Sequence, residues 1–180
     1  ARSSLSNFWT NTSNNNDQYR YTLIYCARLL RQKGIIEYLN LAQSCPSYDY
    51  FIFGSIDKGS KNSISEHELN LLVTNAPNIK YFGQVEDPLL NIKCTNPILI
   101  VPSIYPEGFP RAIIESLSLN IPVITTYSSS TTFAEEIREN IYIVDNLGVD
   151  SYSQAITNLI QDYEKGLLTE KLRKAREYLI

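Results

Sequence analysis

Six short apolar runs alternate with helix-like segments along this chain, and that alternation restricts the fold more than any other feature of the sequence. The apolar runs cover residues 21–26, 50–54, 79–83, 98–101, 122–126 and 141–144. Helical patterns lie between and after them, at 33–44, 65–74, 88–92, 111–119, 133–139, 151–165 and 169–179. Strands that are joined through helices pair in parallel, because each helix returns the chain to the same end of the sheet. The sequence therefore predicts an α/β fold with a Rossmann-like, doubly wound parallel sheet of about six strands.

The bulk composition is that of one ordinary globular domain. The chain has 180 residues, of which 43% are hydrophobic, and its net charge is -3. That charge favours neither nucleic acid nor an anionic membrane as a partner, and no apolar run reaches the roughly 18 residues of a transmembrane span. Three cysteines, Cys26, Cys45 and Cys94, lack metal-ligand spacing and are expected to be buried free thiols. The expected location is therefore the cytoplasm.

Residues 1–18 are polar and rich in asparagine, which is typical of a linker or a flexible lead-in. The domain itself is expected at 19–180. Leu5, Phe8 and Trp9 are the large apolar residues of the lead-in, and they could dock on a part of the protein outside this chain. Because the chain begins without methionine and shows no signal segment, we interpret it as a piece of a longer protein.

Two glutamates, Glu107 and Glu115, are separated by seven residues at the expected carboxyl end of a strand. Between them, Gly108 and Phe109 lead into a helix that has Pro110 in its first turn. Crevices at the carboxyl ends of parallel strands collect ligands, and free backbone N–H groups there favour anionic oxygens or sugar hydroxyls. Glu115 can accept two hydrogen bonds from a ribose diol, and Glu107 offers a second acceptor. The spacing predicts a sugar-nucleotide site, although an isolated pair would be interpreted as solvated helix-end glutamates.

The loop after the first strand supplies cations where a dinucleotide-binding domain would supply glycines. Arg28 and Lys33 lie five residues apart, and their loop ends at a helix N-terminus. Both side chains could reach one diphosphate, with a two-pronged contact from arginine and a compact charge from lysine. Taken alone, the loop is better explained as a solvated basic loop. The glutamate pair in the same predicted sheet favours diphosphate binding instead.

Polar residues also follow the second and third strands, which end at the same edge of a parallel sheet. Gly54 begins one of these loops, and Gln84 and Val85 lie in the other. Backbone groups around Gln84 and Val85 could bind a nucleobase edge, but ordinary turns have the same composition. Ser103, after the fourth strand, is expected to form a hydrogen bond near the mouth of the crevice. These four residues complete the predicted set of ligand-binding residues.

Other kinds of catalytic site are not indicated. His67 is the only histidine, and it lies in an expected surface helix far along the chain from Glu107. The sequence contains no cluster of metal ligands, no serine-elbow motif and no P-loop, so neither a metal nor a cofactor is expected. The hydroxyls of residues 128–132 could bind phosphate, but such residues are equally common as helix caps.

Together and in this order, the segments resemble the C-terminal, donor-binding half of a GT-B glycosyltransferase of the retaining group-1 (family 4) type. The resemblance covers about residues 21–178. It is carried by Ala27–Gly34, Phe82–Gly83, Pro102–Ser103, Glu107–Glu115 and Pro122–Thr125. The segment from Glu107 to Glu115 is the part of the resemblance most specific to this family, and the basic loop after the first strand is moderately specific.

The resemblance implies a role for each main candidate. Arg28 and Lys33 would bind the donor diphosphate, Glu115 would bind the ribose hydroxyls, and Glu107 would contact the transferred sugar. The loop between the glutamates would add backbone contacts. The reaction would transfer a sugar with retention of its anomeric configuration and without a metal. Fixed cations suit this reaction, because the departing nucleoside diphosphate gains negative charge in the transition state.

Two positions depart from the family pattern, which usually has glycine where this chain has Ala27 and Asn120. Asparagine tolerates left-handed backbone geometry, so a helix end before Asn120 is still feasible. Residues 54–57 and 62–65 are similar to bacterial capsule, O-antigen and glycoprotein hexosaminyltransferases, which suggests a uridine-diphosphate sugar as donor. The acceptor would be a glycan or a lipid-linked molecule, bound through an N-terminal domain that this chain lacks. The chain alone would then transfer little or nothing.

Two other functions stay open at this stage. One is a noncatalytic module that binds nucleotide sugars or assembles a polysaccharide-synthesis complex. The other is a related GT-B epimerase or phosphorylase, and a phosphorylase would need a lysine-bound pyridoxal phosphate. If the parent enzyme acts on lipid-linked acceptors, it could also sit at the inner face of the membrane. A nicotinamide-binding domain is disfavoured because the glycine-rich loop is absent.

Overall fold

The computed structural model describes residues 20–108 and 110–179, which form one sheet flanked by helices. The strands are β1 (Thr22–Cys26), β2 (Asp49–Phe53), β3 (Ile79–Gly83), β4 (Pro97–Val101), β5 (Val123–Thr126) and β6 (Tyr142–Val144). Their order across the sheet is β3-β2-β1-β4-β5-β6, and every neighbouring pair is parallel. The predicted fold class is confirmed.

Helices connect consecutive strands as the alternation predicts. The described helices are α1 (Ile35–Ser44), α2 (Glu66–Thr74), α3 (Pro88–Asn91), α4 (Arg111–Ser118), α5 (Tyr127–Ser130), α6 (Glu135–Arg138), α7 (Val149–Glu164) and α8 (Leu168–Glu177). A short 3-10 helix, Arg31–Lys33, precedes α1. The predicted left-handed geometry at Asn120 is also observed, with φ of 57° just after α4. The two closing helices lie within two residues of their expected bounds.

Two local features differ from the sequence expectation. The helix predicted from residue 33 begins at Ile35, because Gly34 has a left-handed backbone with φ of 75° and separates it from the 3-10 turn. Helix α5 was not predicted, since a run of tyrosine and three serines has no helical periodicity. It begins because the Thr126 side chain accepts a hydrogen bond from the N–H of Ser129 at 3.3 Å. Within residues 128–132, the hydroxyls of Ser130 and Thr131 donate to the backbone carbonyls of Tyr127 and Ser128 at 2.8 and 3.1 Å.

The sheet interior combines aliphatic side chains with fully buried tyrosines. The β1 residues Leu23, Ile24 and Tyr25 have no exposed surface, as expected for a parallel strand covered on both faces. Tyr38 of α1 is also fully buried, and its hydroxyl donates to the carbonyls of Leu23 at 2.7 Å and Phe51 at 3.0 Å. The ring fills the core while the hydroxyl has partners, so the buried polar atom is not left unpaired.

The strand order creates a topological switch point between β1 and β4. From β1 the chain proceeds to β2 and β3 on one side of the sheet, and then returns to place β4, β5 and β6 on the other. The loops that leave β1 and β4 consequently diverge to opposite faces at the carboxyl edge. In open α/β sheets the crevice between two such loops is where ligands bind. Residues 27–34 follow β1 and residues 102–110 follow β4.

Three other sequence expectations concern the lead-in, membrane-spanning helices and the cysteines. The predicted lead-in at 1–18, with Leu5, Phe8 and Trp9, lies outside the described residues. Within the described part, no helix has both the length and the apolar character that crossing a bilayer requires. Cys26, Cys45 and Cys94 are free and half-buried. Burial raises the pKa of the Cys26 and Cys94 thiols to about 11, so both are protonated near neutral pH.

Candidate functional site

The crevice at the switch point contains an ion pair between two of the predicted catalytic residues. The Lys33 Nζ lies 2.8 Å from the Glu107 Oε2. Their side chains are 26% and 15% exposed, so both charges are partly withdrawn from water. Lys33 comes from the loop after β1 and Glu107 from the loop after β4, and the pair therefore spans the crevice. The structure brings these two residues together as the sequence predicts for a single site.

Arg28, the other predicted cation, has a different partner. Its Nη1 lies 3.0 Å from the Oδ2 of Asp57, and its side chain is 60% exposed. Asp57 lies in the loop after β2, and sequence analysis did not identify it as a site residue. The signal was weak, because an aspartate two residues after a serine in a glycine-led loop is also an ordinary turn. Arg28 is thus held at the rim of the crevice, with its guanidinium accessible.

Hydrogen bonds fix the basic loop against the loop after β2. The N–H of Leu29 donates to the carbonyl of Ser55 at 3.0 Å, and the N–H of Ile64 donates to the carbonyl of Leu29 at 3.1 Å. Ser63 reinforces this contact, since its hydroxyl donates to the Leu29 carbonyl at 3.2 Å and accepts from the Asp57 N–H at 3.0 Å. The backbone that carries Arg28 is therefore held on both sides before any ligand binds.

A second set of hydrogen bonds joins the basic loop to the loop after β4. Ser103 is 1% exposed, and its hydroxyl donates to the carbonyl of Gln32 at 3.2 Å. The same carbonyl accepts from the N–H of Ile104 at 3.0 Å, and Thr126 donates to the Ser103 carbonyl at 2.7 Å. In this state the Ser103 hydroxyl faces the backbone. A contact between Ser103 and a bound sugar nucleotide remains a prediction. The observed hydrogen bond from Ser103 to Gln32 aligns the loops that carry Lys33 and Glu107.

Two glycines allow the site loops to approach one another closely. A Cβ on Gly34 would lie 1.9 Å from the Pro102 carbonyl oxygen, and one on Gly54 would lie 1.9 Å from the Ala27 carbonyl oxygen. Both residues also have positive φ, 75° for Gly34 and 145° for Gly54. Gly54, a predicted donor contact, thus has an observed packing role. Gly34 was not predicted as a site residue, because the close approach depends on a segment almost seventy residues away in the sequence.

Glu115 lies on α4 at the other end of the glutamate frame. Its side chain is 45% exposed and pairs weakly with Arg111, with 3.4 Å between Nη2 and Oε1. Besides burial, the charge of Glu115 raises the pKa of the Cys26 thiol at the end of β1. In the same way, burial first and the charge of Glu107 second raise the pKa of Tyr25. Both carboxylates therefore act on the carboxyl end of β1, and Glu115 lies on the helix that follows the Glu107 loop.

The loop between the glutamates is open on its exposed side. Gly108 is exposed, and a Cβ on it would meet no atom within 4 Å. Pro110 is buried and occupies the N-cap of α4, one position earlier than predicted, with an extended backbone. Phe109 lies outside the described residues. The space beside Gly108 is compatible with close approach of a ligand to the backbone.

The predicted base-binding residues lie further along the carboxyl edge. Gln84 is exposed, and Val85 is half-buried and packs against the core. Gln84 lines a cavity of about 340 Å³ together with Ser55 and Tyr81. The described lining of this cavity includes neither Glu107 nor Glu115. Gln84 therefore lies beside the crevice and not in contact with the two glutamates through this cavity.

A larger cavity of about 530 Å³ lies at the opposite edge of the sheet. Its lining comes from the amino ends of strands and from α7 and α8, and it includes Tyr21, Ile98, Leu159, Leu168 and Leu172. None of the predicted site residues lines it. Because parallel sheets bind ligands at the carboxyl ends of their strands, size alone does not make this cavity the candidate site.

The described residues also show what the site lacks. They contain no group of three or more histidine, cysteine or acidic side chains arranged to hold a metal ion. His67 lies on the surface of α2, as expected. Charged side chains at the described crevice include Arg28, Lys33, Asp57, Glu107 and Glu115.

Comparison with known proteins concerns the family and the fold of the chain. The family model for glycosyl transferases group 1 matches residues 9–178. The capsular polysaccharide biosynthesis glycosyltransferase CapM of Staphylococcus aureus is 28% identical over 146 residues, which cover 79% of this chain and 37% of CapM. The match to the family model extends over almost the whole chain.

Solved structures show the same fold at low sequence identity. HepE from Anabaena, solved in complex with UDP-glucose, is 18% identical with a TM-score of 0.71, and the match covers 89% of this chain and 44% of HepE. The C-terminal domain of the group 1 protein LpcC from Francisella tularensis is 20% identical with a TM-score of 0.66, covering 88% of this chain and 84% of that domain. The chain thus spans less than half the length of CapM and HepE but nearly all of a C-terminal domain.

Proposed function

This chain belongs to the glycosyl transferases group 1 family, and on that premise we propose that it is the donor-binding domain of a retaining glycosyltransferase. The donor is a nucleoside-diphosphate sugar whose nucleoside is uridine. The parent enzyme transfers the sugar to a glycan or lipid-linked acceptor during polysaccharide or glycoconjugate synthesis. The observation that carries the proposal is the meeting of Lys33 and Glu107 at the switch point, with Arg28 at the rim and Glu115 on the helix that follows the Glu107 loop.

In this proposal the two cations bind the diphosphate. Lys33 offers a compact charge inside the crevice, and Arg28 offers a planar guanidinium at its edge. When the bond between the anomeric carbon and the diphosphate oxygen breaks, the electron pair stays on that oxygen and its negative charge grows. Cations that are already fixed in place stabilise this charge without reorganising. The hydrogen bonds that anchor the basic loop on both sides support such a role.

The two glutamates bind the hydroxyl-bearing parts of the donor. Glu115 accepts hydrogen bonds from the ribose, and Glu107 accepts them from the sugar that is transferred. Each carboxylate has two oxygens and acts only as an acceptor when ionised, which suits a vicinal diol. Gly108 leaves room for the sugar beside the backbone. Uridine is proposed from the similarity of residues 54–57 and 62–65 to hexosaminyltransferases, and HepE, a structural relative, was solved with UDP-glucose.

The proposal is tested by a calorimetric titration of the chain with UDP, with GDP and UMP as comparison ligands. We expect saturable UDP binding with a dissociation constant on the order of 0.1–1 mM, since half of a cleft buries only part of the ligand. UMP should bind more weakly because it lacks the second phosphate. GDP should also bind more weakly, because the proposed base contacts recognise uracil and not guanine. A folded chain that binds UMP and UDP equally would contradict the diphosphate role of the cations.

A further inference from the structure

The Lys33–Glu107 pair sets two proposed functions of the site against each other. In the donor-free chain, the ammonium that is proposed to bind the diphosphate is neutralised by the carboxylate that is proposed to bind the sugar. The distance of 2.8 Å is that of a charge-assisted hydrogen bond. A ligand can interact with the unneutralised charge of Lys33 only after the ion pair with Glu107 has separated.

The pair is held in place by the backbone on both sides. Lys33 ends a 3-10 turn that is followed by Gly34, and Gly34 packs directly on Pro102. The loop that carries Glu107 is tied to the same turn through the bonds of Ser103 and Ile104 to Gln32. Little backbone freedom is therefore lost when the pair forms. By contrast, Arg28 and Asp57 form an exposed pair, whose expected contribution is small.

We propose that Glu107 is an internal competitor of the diphosphate, and that it makes the site prefer the intact donor over the nucleoside diphosphate left after transfer. This inference rests on the proposed function. When the intact donor binds, the sugar hydroxyls replace Lys33 as partners of Glu107 while the diphosphate takes Lys33. When only the nucleoside diphosphate binds, Glu107 loses Lys33 and gains no hydroxyl in exchange.

The physical cost in the second case has two sources. A half-buried carboxylate without a partner is incompletely solvated, so separating it from its cation is unfavourable. The same carboxylate then faces the negative diphosphate at short range, and like charges repel. Both effects are smaller for the intact donor, because its sugar hydroxyls partner Glu107 and its diphosphate carries less negative charge than that of the product. The site is thereby biased toward product release.

The test is a titration of UDP into the wild-type chain and into the Glu107→Gln variant. Removing the competing charge frees Lys33, so we expect the variant to bind UDP about tenfold more tightly, which equals about 1.4 kcal/mol. Glu68→Gln is the matched control: Glu68 pairs with Arg31 at 2.8 Å beside the same loop, and its loss changes the net charge equally. This control should bind UDP within about twofold of the wild type, as the pair is exposed.

A double-mutant cycle identifies Lys33 as the group that is freed. In a Lys33→Ala background, Glu107→Gln should give a clearly smaller gain in UDP affinity, because no paired ammonium is left to release and only the repulsion between the carboxylate and the diphosphate is relieved. The preference for UDP-glucose over UDP should also be smaller in Glu107→Gln than in the wild type. Thermal unfolding of each variant checks that the fold is retained.

The outcomes separate this inference from the function on which it rests. Saturable UDP binding by the wild type, with no gain in Glu107→Gln, overturns the inference and leaves the donor-binding function standing. A gain of the same size in the Lys33→Ala background also overturns it, because the effect would then be one of charge repulsion alone. If neither the wild type nor Glu107→Gln binds UDP, the proposed function and the inference both fail for this chain.

Discussion

Replacing Gly34 with alanine is expected to lower the free energy of unfolding by about 2–5 kcal/mol. The left-handed backbone at φ of 75° costs an L-residue about 1–2 kcal/mol. The added Cβ would lie 1.9 Å from the carbonyl oxygen of Pro102, so the two loops must separate, which adds about 1–3 kcal/mol for overpacking. Separation of the loops also moves Lys33 away from Glu107. Urea denaturation followed by circular dichroism measures the change, and UDP titration measures the effect on the site.

Gly166→Ala is the matched control for this substitution. Gly166 follows α7 with φ of 73°, nearly the same as Gly34, but its Cβ would meet no atom within 4 Å. It therefore has the backbone cost of about 1–2 kcal/mol without the steric contact, and it should leave UDP binding unchanged. Equal destabilisation by the two substitutions would show that the contact between Gly34 and Pro102 does not matter.

Replacing Arg28 and Lys33 together with alanine is expected to weaken UDP binding by at least about 100-fold. Hydrogen bonds to charged groups each contribute about 1.5–3 kcal/mol, so the loss of both exceeds the 2.7 kcal/mol or so that corresponds to 100-fold. In practice the double variant should show no saturable binding at UDP concentrations on the order of 10 mM. The variant should still fold, because both side chains point into the crevice or the solvent rather than into the core.

The control for the double variant removes two other cations of the same face. Arg31 pairs with Glu68 at an exposed position. Lys58 lines the same cavity as Gln84, so the control replaces Arg31 and the exposed Lys61 with alanine. The net charge changes by the same amount, yet UDP affinity should alter only about threefold or less, because exposed charges are screened by salt. A control that binds as weakly as the test variant would mean that UDP responds to overall charge and not to two specific residues.

The architecture could be predicted because its determinants are local. Each strand is a short apolar run, each connecting helix has its own pattern, and alternation of the two leaves parallel pairing as the simple solution. The predictions were less accurate where a backbone conformation at one residue decides the outcome. Gly34 shortens the start of α1, and the serine-rich helix α5 depends on a cap from Thr126 rather than on periodicity.

The candidate site was partly visible in the sequence for a similar reason. Glu107 and Lys33 were proposed from spacing and strand ends, and the structure brings them into contact. Their direct pairing could not be predicted, since it depends on how loops after β1 and β4 are aligned through Ser103. The partnership of Arg28 with Asp57 and the contact of Gly34 with Pro102 are also long-range. Local patterns identify which residues reach the edge of the sheet but not which atoms meet there.

The most direct test of the central claim, that this crevice binds the nucleotide of a sugar donor, compares UDP with 2′-deoxyuridine diphosphate in the wild type and in Glu115→Ala. Glu115 is proposed to accept hydrogen bonds from the ribose diol. The wild type should therefore bind UDP about tenfold more tightly than the deoxy analogue, because the analogue lacks the 2′-hydroxyl that donates a hydrogen bond to the Glu115 carboxylate. Glu115→Ala should bind UDP more weakly and should no longer distinguish the two ligands. A folded wild-type chain that binds both ligands equally, or a variant that keeps the wild-type preference, would contradict the account.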